Sequence, residues 1–303
     1  MNGAKTLACI VFSVLLFLAA SPNHNKALAE KKKIYLRHAD RLEGGEKRSP
    51  FGRIEPVRSV SGNVVFSHDN FLLTCNKATE FLESGVVELR GDIFMTDRQT
   101  EVFCDKALYY PNTGIAELRN NVRGRMLESD LVTSSERAHI DRDKDRITMY
   151  QKAIAWQNER QLSGDSITVQ LREEEEKKRV ESITVNGKAF FIARDTLDLE
   201  RKLYNQLSGK SIRFDMNDRE ELSGVQVENQ ARSLYHSYDT DNAPSGVNFA
   251  SGNTIIMSFS EGKLNRIAVT GNAEGKQYPN RLRGSSKVNL PGFKLRFDEK
   301  PAF

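Results

Sequence analysis

Apolar and polar residues alternate along most of the chain, and a period of two is typical of β-strands that bury one face. In residues 87–95 the odd positions are apolar or small, whereas the positions between them are mainly charged. The alternation returns in residues 183–191 and 267–273. Helical periodicity is limited to one short candidate, residues 197–206. The pattern therefore predicts an all-β fold of antiparallel strands.

A five-residue phrase occurs seven times: an apolar residue, any residue, Gly or Asn, any residue, and a second apolar residue. The first copy is Val60-Ser61-Gly62-Asn63-Val64, and the fourth, centred on Lys152, lacks the central Gly or Asn. The central residues are 62, 91, 120, 152, 187, 229 and 271, at spacings of 29, 29, 32, 35, 42 and 42. Such regular spacing identifies a repeat protein, and Gly or Asn within a strand suits a bulge or a bend.

A second phrase precedes most copies of the first. Early in the chain it reads Ala39-Asp40-Arg41-Leu42, Cys75-Asn76-Lys77-Ala78 and Cys104-Asp105-Lys106-Ala107, and later it contains Ser-Gly. Each repeat is thus a pair of strands that cannot bury its apolar face alone. Stacked pairs form an elongated, solenoid-like stack with a continuous interior. Its open ends carry unpaired strand edges that suit pairing with another chain.

The composition agrees with a shallow β fold. Of the 303 residues, 38% are apolar, below the roughly 45–50% of ordinary globular domains. The 45 Lys and Arg residues nearly balance the 41 Asp and Glu residues, which leaves a net formal charge of +4. Since nucleic-acid binding requires clustered basic residues in excess, we expect no nucleic-acid partner.

The first 29 residues have the organisation of a secretory signal peptide. Lys5 provides a positive charge, residues 7–20 form an apolar run of 14 residues, and Ala27-Leu28-Ala29 matches a small-x-small cleavage site. A membrane-spanning helix needs about 20 apolar residues, and an uncleaved anchor is the alternative. We expect cleavage after Ala29 and an exported domain over residues 30–303. The repeats occupy about residues 39–273, and a C-terminal strand or tail follows them.

Export makes the cysteines informative, because an oxidising compartment permits disulfides. Cys75 and Cys104 are 29 residues apart and occupy the same register of neighbouring repeats. One alternative is a disulfide between them, and the other is two buried thiols that pack as small apolar residues. Register alone does not fix disulfide geometry, so both stay open.

No motif for catalysis or metal binding is recognisable. His38, His68, His139 and His236 lack the spacing of metal ligands, and there is no Gly-x-Ser-x-Gly sequence or phosphate-binding loop. Residues 141–145 resemble the start of a calcium loop, but Gly at position six and Glu at position twelve are missing. We therefore predict no catalytic residue, no metal and no cofactor.

The repeated phrases resemble the OstA-like family of exported β-jellyroll proteins. The resemblance rests on Ala-Asp-Arg-Leu before Gly62-Asn63-Val64-Val65-Phe66, and on Cys-Asn-Lys-Ala or Cys-Asp-Lys-Ala before a turn and a Gly-x-Ile strand. It covers about residues 39–273. That family includes the periplasmic lipopolysaccharide carrier LptA, the periplasmic part of LptC and the N-terminal domain of LptD. The resemblance implies a slot-like jellyroll that shields lipid A acyl chains.

A carrier of this kind holds acyl chains on an inward apolar stripe, where each buried CH₂ gains about 0.8 kcal/mol. The alternation predicts these stripe residues: Val64, Leu89, Ile93, Met95, Val122, Ile154, Val185, Phe191, Val227 and Val269. The resemblance implies a periplasmic location and lipopolysaccharide, bound through lipid A, as the ligand. It also implies inner-membrane LptC-like and outer-membrane LptD-like jellyroll domains as partners, and end-to-end self-association.

Other interpretations remain open. The stripe residues can fill the interior themselves and form only a core. The chain can be an LptC-like component, although the cleavage site disfavours the uncleaved anchor of such a protein, or a structural or adhesive β-repeat protein without a lipid ligand. A β-solenoid enzyme acting on polysaccharide needs paired inward acids, but Asp and Glu fall mostly on turns and outward positions here.

Overall fold

The computed structural model describes residues 35–303 except 69–70, 98–99, 128–129, 175–176, 199, 220 and 262. The described residues form 16 strands and no α-helix. The strands, numbered β1 to β16 in chain order, are Tyr35–His38, Arg41–Arg48, Ile54–His68, Phe71–Phe81, Val87–Thr96, Thr100–Tyr110, Ile115–Met126, Leu131–Asp141, Arg146–Gln157, Arg160–Glu174, Lys177–Arg194, Tyr204–Met216, Leu222–Tyr238, Pro244–Ser260, Lys263–Thr270 and Glu274–Tyr278. The predicted all-β, antiparallel fold is confirmed.

The strands form one open sheet in which neighbours in sequence are neighbours in space. The order is β1-β3-β4-β5-β6-β7-β8-β9-β10-β11-β12-β13-β14-β15. At the first edge β1 and β2 both pair with β3, and at the last edge β15 and β16 both pair with β14. Long strands joined by short turns follow directly from the alternating sequence and the turn residues between the repeats.

Each repeat phrase forms a sharp bend within a strand. At the centre of every phrase two consecutive residues have positive φ, the left-handed conformation that Gly and Asn adopt most readily. The seven pairs are Gly62-Asn63, Gly91-Asp92, Asn120-Asn121, Gln151-Lys152, Gly187-Lys188, Asn229-Gln230 and Gly271-Asn272. The register of the sheet shifts at the same places, for example between Ser61 and Val64. The predicted bend is therefore a two-residue bulge.

The fourth bend begins one residue earlier than the five-residue phrase predicts. The phrase was centred on Lys152, but the left-handed pair begins at Gln151, one residue earlier. Neither residue is Gly or Asn, which is why the sequence pattern did not locate this bend. The residue that follows the pair, equivalent to Val64, is Ala153 rather than Ile154.

The described residues divide into two compact units. The N-terminal unit contains the described residues up to Tyr150 together with residues 172–178, and the C-terminal unit contains residues 151–171 and 179–303. In the N-terminal unit, residues 43–59 form the hairpin of β2 and β3, in full register from Arg41 opposite Ser61 to Arg48 opposite Ile54. Near its turn a small core joins Val57, Phe81, Val86 and Leu108.

The C-terminal unit ends in a segment without strands. Residues 279–303 contain 3₁₀ turns at Asn280–Leu282, Ser286–Val288 and Phe297–Glu299. The helix predicted for residues 197–206 is wrong, because the described part of this stretch consists of bends and coil until β12 begins at Tyr204. The predicted signal peptide lies outside the described residues. Within the described part of the chain, no helix has the length and hydrophobicity needed to cross a membrane.

Candidate functional site

The bends give the sheet a concave face, which we define as the face on which the two arms of a bent strand approach each other. In the C-terminal unit, Phe191 lies after the bend of β11, and Phe214 lies on the part of β12 that pairs before that bend. Their rings meet edge to face with centroids 5.4 Å apart. The side chains of the two arms therefore pack against each other on this face.

In the N-terminal unit, large and small apolar residues alternate across the strands on this face. The row just before the bends consists of Val60, Ala78, Leu89, Ala107, Leu118 and Ala138, each paired with the next. The row just after the bends contains the pairs Val64–Cys75, Ile93–Cys104 and Val122–Ser135. All of these side chains are buried. The rows show that the interior runs continuously from strand to strand.

The C-terminal unit continues the pattern with larger branched residues. Its row before the bends is Val185, Ile212, Val227, Ile255 and Val269, again each paired with the next. The first four are fully buried, but Val269 on the edge strand β15 is only half-buried. Two residues earlier on β15, Ile267 is 37% exposed. The apolar interior therefore reaches solvent at the β15 edge.

Within each unit, the structure buries most of the predicted stripe residues. Nine of the ten residues are at most 6% exposed, and Val269 is the partly exposed one. Ile154 is buried but lies on the opposite face, because its bend begins at Gln151. Sequence reasoning missed Val60, Leu118 and Met149, which each lie two residues before a left-handed pair. Val60 and Leu118 are the first apolar residues of their five-residue phrases, so the phrase itself contains the signal that identifies them.

The two cysteines are free and buried in the structure, as in the alternative of two thiols that pack as small apolar residues. Cys75 is on β4 and Cys104 is on β6, so β5 lies between them. Strands two apart in a sheet are separated by about 9–10 Å, beyond the reach of a disulfide. Burial raises the pKa of the Cys75 thiol to about 11 and that of Cys104 to about 12. Both therefore act as neutral packing groups beside Val64 and Ile93.

Polar side chains support the outside of the bends. Asn76 donates a hydrogen bond to Asp92 at 2.9 Å, and Asn121 donates one to Asp105 at 2.8 Å. In five of the seven repeats the second phrase thus places an Asp or Asn against the left-handed pair of the neighbouring strand. These contacts explain why the two phrases recur together, and they are structural in nature.

Titratable groups do not converge on the concave face. In the described residues no group of three or more His, Cys, Asp or Glu side chains has the arrangement of a metal site. Asp141, the first residue of the calcium-loop-like stretch, has its carboxylate 3.1 Å from the ammonium of Lys144 and 3.9 Å from the guanidinium of Arg146. Burial opposes ionisation of Asp141, but the hydrogen bonds from Lys144 outweigh it and lower the pKa.

Comparisons with known proteins bear on the first half of the chain. A family model described as OstA-like protein matches residues 31–167. Among solved structures, the chain is similar to LptH of Pseudomonas aeruginosa, described as the LptA-homologous periplasmic component of the lipopolysaccharide transport device. The match has 14% identity and a TM-score of 0.36, and it covers 50% of this chain and 97% of that one.

A comparison with curated proteins gives no match. The family match includes the first four bends, the two cysteine-containing phrases and the buried rows of the N-terminal unit. These are the residues on which the resemblance was based. The OstA-like resemblance is confirmed, and residues 31–167 of this chain form an OstA-like region.

Proposed function

We propose that the protein is a periplasmic carrier that passes lipopolysaccharide from the inner to the outer membrane and shields the acyl chains of lipid A on its concave face. The observation that carries the proposal is the unbroken apolar row before the bends within an OstA-like region. Across β3 to β8, paired residues such as Val60, Ala78 and Leu89 leave no polar side chain in the row before the bends. A face of this kind suits hydrocarbon.

Acyl chains enter this site only if the arms of the bent strands separate. The stripe residues are closed off by their own neighbours, so binding exchanges side-chain contacts for contacts with lipid. Transfer of ten methylene groups out of water gains about 8 kcal/mol, which can offset the loss of packing along one row. The β15 edge, where Ile267 and Val269 are already accessible, is the natural entry point.

The proposed mechanism is passive and non-enzymatic. Acyl chains lie on the concave face while sugars and phosphates remain in water, and direction comes from a partner that loads one end. Strands β1 and β2 lie at one edge of the sheet, and β15 and β16 lie at the other. These edges suit strand addition to LptC-like and LptD-like domains or to a second copy. Residues 1–29 direct export and are cleaved after Ala29.

A second candidate function follows from the burial itself. Val64, Val185 and Val227 are 0% exposed, as in a core that is filled by its own side chains. A structural β-repeat protein without a lipid ligand has this property. The two functions differ in whether the concave face ever contacts lipid.

Site-specific photo-crosslinking in the native periplasm separates them. A photoreactive amino acid replaces Met95 or Phe191, which are each 6% exposed on the concave face, and the exposed bend residue Lys188 is the control. Glu88 is a poorer control because its side chain is only 13% exposed. We expect lipopolysaccharide adducts at Met95 and Phe191 alone. Exported, protease-resistant protein without adducts at either position contradicts the carrier and favours the structural protein.

A further inference from the structure

In the C-terminal unit, the chain covers the convex face of its own sheet, the face opposite the concave one. Phe190, Ile192, Leu234 and Val247 form a buried cluster there with Val288 and Leu290 of the C-terminal segment. The ring of Phe293 also packs on Phe190, with centroids 6.4 Å apart. This apolar strip is therefore a seat for a segment that turns between Leu290 and Phe293 and carries an aromatic side chain.

Polar side chains hold the backbone of that segment. Gln206 accepts a hydrogen bond from the Leu290 amide at 2.9 Å and donates to the side chain of Asn289 at 2.7 Å. Gln161 accepts from the Arg296 amide at 2.7 Å and donates to the Lys294 carbonyl at 3.0 Å. Because both side-chain amides use a donor and an acceptor, they hold the segment through its main chain and through the side chain of Asn289.

The N-terminal unit has different side chains at the register positions that correspond to this strip. Phe94 lies two residues after the pair Gly91-Asp92, as Phe190 does after Gly187-Lys188. In register, Phe94 is opposite Phe103, and Phe103 is opposite Arg123. The corresponding series in the C-terminal unit runs from Phe190 through Ser208 to Arg232. The repeat thus places a second aromatic strip on the convex face of the N-terminal unit.

This second strip is partly exposed and contains an N–H group that has no acceptor among the described residues. The rings of Phe94 and Phe103 are 4.9 Å apart, and the guanidinium of Arg123 lies 5.5 Å from the centroid of Phe103. All three side chains are partly accessible. The Nε of Arg123 is buried, and no acceptor among the described residues binds it. Arg125, by contrast, pairs with Glu101 at 2.6 Å.

We propose that the strip formed by Phe94, Phe103 and Arg123 binds a segment of a partner protein that carries an aromatic side chain and a carboxylate. The aromatic ring packs on Phe94, as Phe293 packs on Phe190. The carboxylate pairs with the partly accessible guanidinium of Arg123, which is a strong, charge-assisted contact. A second copy's C-terminal segment is disfavoured, because residues 279–303 hold six basic and two acidic residues. The proposal does not depend on lipid transport.

The test uses the mature protein and a synthetic probe built from its own C-terminal segment. The probe is the fluorescent peptide of residues 288–295 with Lys294→Glu, and its binding is followed by fluorescence anisotropy. We expect saturable binding that weakens at least tenfold in Arg123→Glu and in Phe94→Ser. Arg232→Glu, the equivalent change in the C-terminal unit, is the matched control and leaves affinity unchanged. Circular dichroism and Tm establish that each variant is folded.

Two further outcomes overturn the proposal. One is the absence of saturable binding to the folded wild-type protein. The other is equal weakening in Arg232→Glu and Arg123→Glu, which indicates that the probe displaces the C-terminal segment instead of occupying the N-terminal strip. The unaltered peptide with Lys294 serves as the charge control, and we expect it to bind at least fivefold more weakly than the probe.

Discussion

The N-terminal and C-terminal units contain the same bends, but they fill the space beside them differently. In the N-terminal unit the pairs after the bends are Val64 with Cys75 and Ile93 with Cys104. In the C-terminal unit the pairs at this register are Ala189 with Gly209 and Ala231 with Gly252. A larger pair in one unit therefore replaces a smaller pair in the other.

The reason for the small pair lies on the neighbouring strand. A Cβ built on Gly164, Gly209 or Gly252 would lie 2.5–2.7 Å from the Cγ1 atom of a valine just before the next bend. Those valines are Val185, Val227 and Val269. In the C-terminal unit the branched side chain before the bend thus takes the space that a cysteine side chain takes in the N-terminal unit. Close packing is reached by two compensating solutions.

The convex faces show the second difference between the units. The C-terminal unit closes its face with residues 279–303, and this segment adds a buried charge cluster around Arg283. The Arg283 side chain is 0% exposed and lies 3.5 Å from Asp195 and 3.6 Å from Asp198. The convex strip of the N-terminal unit contains the partly exposed Phe94 and the partly exposed ion pair of Arg125 with Glu101.

The largest expected effect comes from removing the buried charge of the C-terminal segment. Arg283→Met leaves Asp195 and Asp198 buried without their cation and should destabilise the protein by about 3–5 kcal/mol. Arg125→Met, which breaks the partly exposed pair with Glu101, should cost only about 1 kcal/mol. Chemical denaturation followed by circular dichroism measures both. Equal losses would show that the C-terminal segment contributes no more to stability than a surface pair.

The next effect concerns the space beside the bends. Gly209→Ala should destabilise by about 2 kcal/mol, because its Cβ meets Val227 Cγ1 at 2.7 Å and the Glu228 carbonyl oxygen at 3.0 Å. Cys104→Ala at the equivalent position should cost about 1 kcal/mol, from the opposite cause of lost packing. Thermal unfolding of both variants tests this. A rise in Tm for Gly209→Ala would show that the units do not pack by different rules.

The sequence predicted the repeat and the inward stripe because both follow from side-chain type. Alternation placed Leu89, Ile93 and Met95 on one face, and the phrase located six of the seven bends. The fourth bend was displaced because Gln151 and Lys152 adopt left-handed φ without being Gly or Asn. Tertiary packing fixes that conformation, and no local signal reveals it.

The convex face was not predictable in the same way. Phe94 departs from the alternation of β5, and the role of Phe190 depends on residues about 100 positions later in the chain. The contact between Gln206 and Leu290 spans 84 positions. Alternation reports which face of a strand is apolar, but it does not report which distant segment covers that face.

A smaller effect should come from the atypical fourth bend. A residue other than Gly with left-handed φ costs roughly 1 kcal/mol, and the first position of the pair is Gly in four of the seven bends. Gln151→Gly should therefore stabilise by about 0.5–1 kcal/mol. Gly91→Ala, the reverse change at an equivalent position in the N-terminal unit, should destabilise and serves as the control. The Tm of each variant measures its change in stability. A lower Tm for Gln151→Gly would contradict the strain assigned to this bend.

The smallest expected effect is a pH dependence confined to the end of the C-terminal segment. Hydrogen bonds from Arg296 and Lys294 lower the pKa of Glu299 to about 2, from a normal value near 4.5. The stabilisation is therefore complete above about pH 4.5 and is lost as the pH falls towards 2. Because Glu299 is one-third exposed, we expect it to stabilise the protein by only a few tenths of a kcal/mol.

The Tm difference between wild type and Glu299→Gln should shrink between pH 5 and pH 2. Asp298→Asn controls for the loss of one negative charge from the same turn, and an equal change there would show that net charge, rather than the contacts of Glu299, sets the dependence.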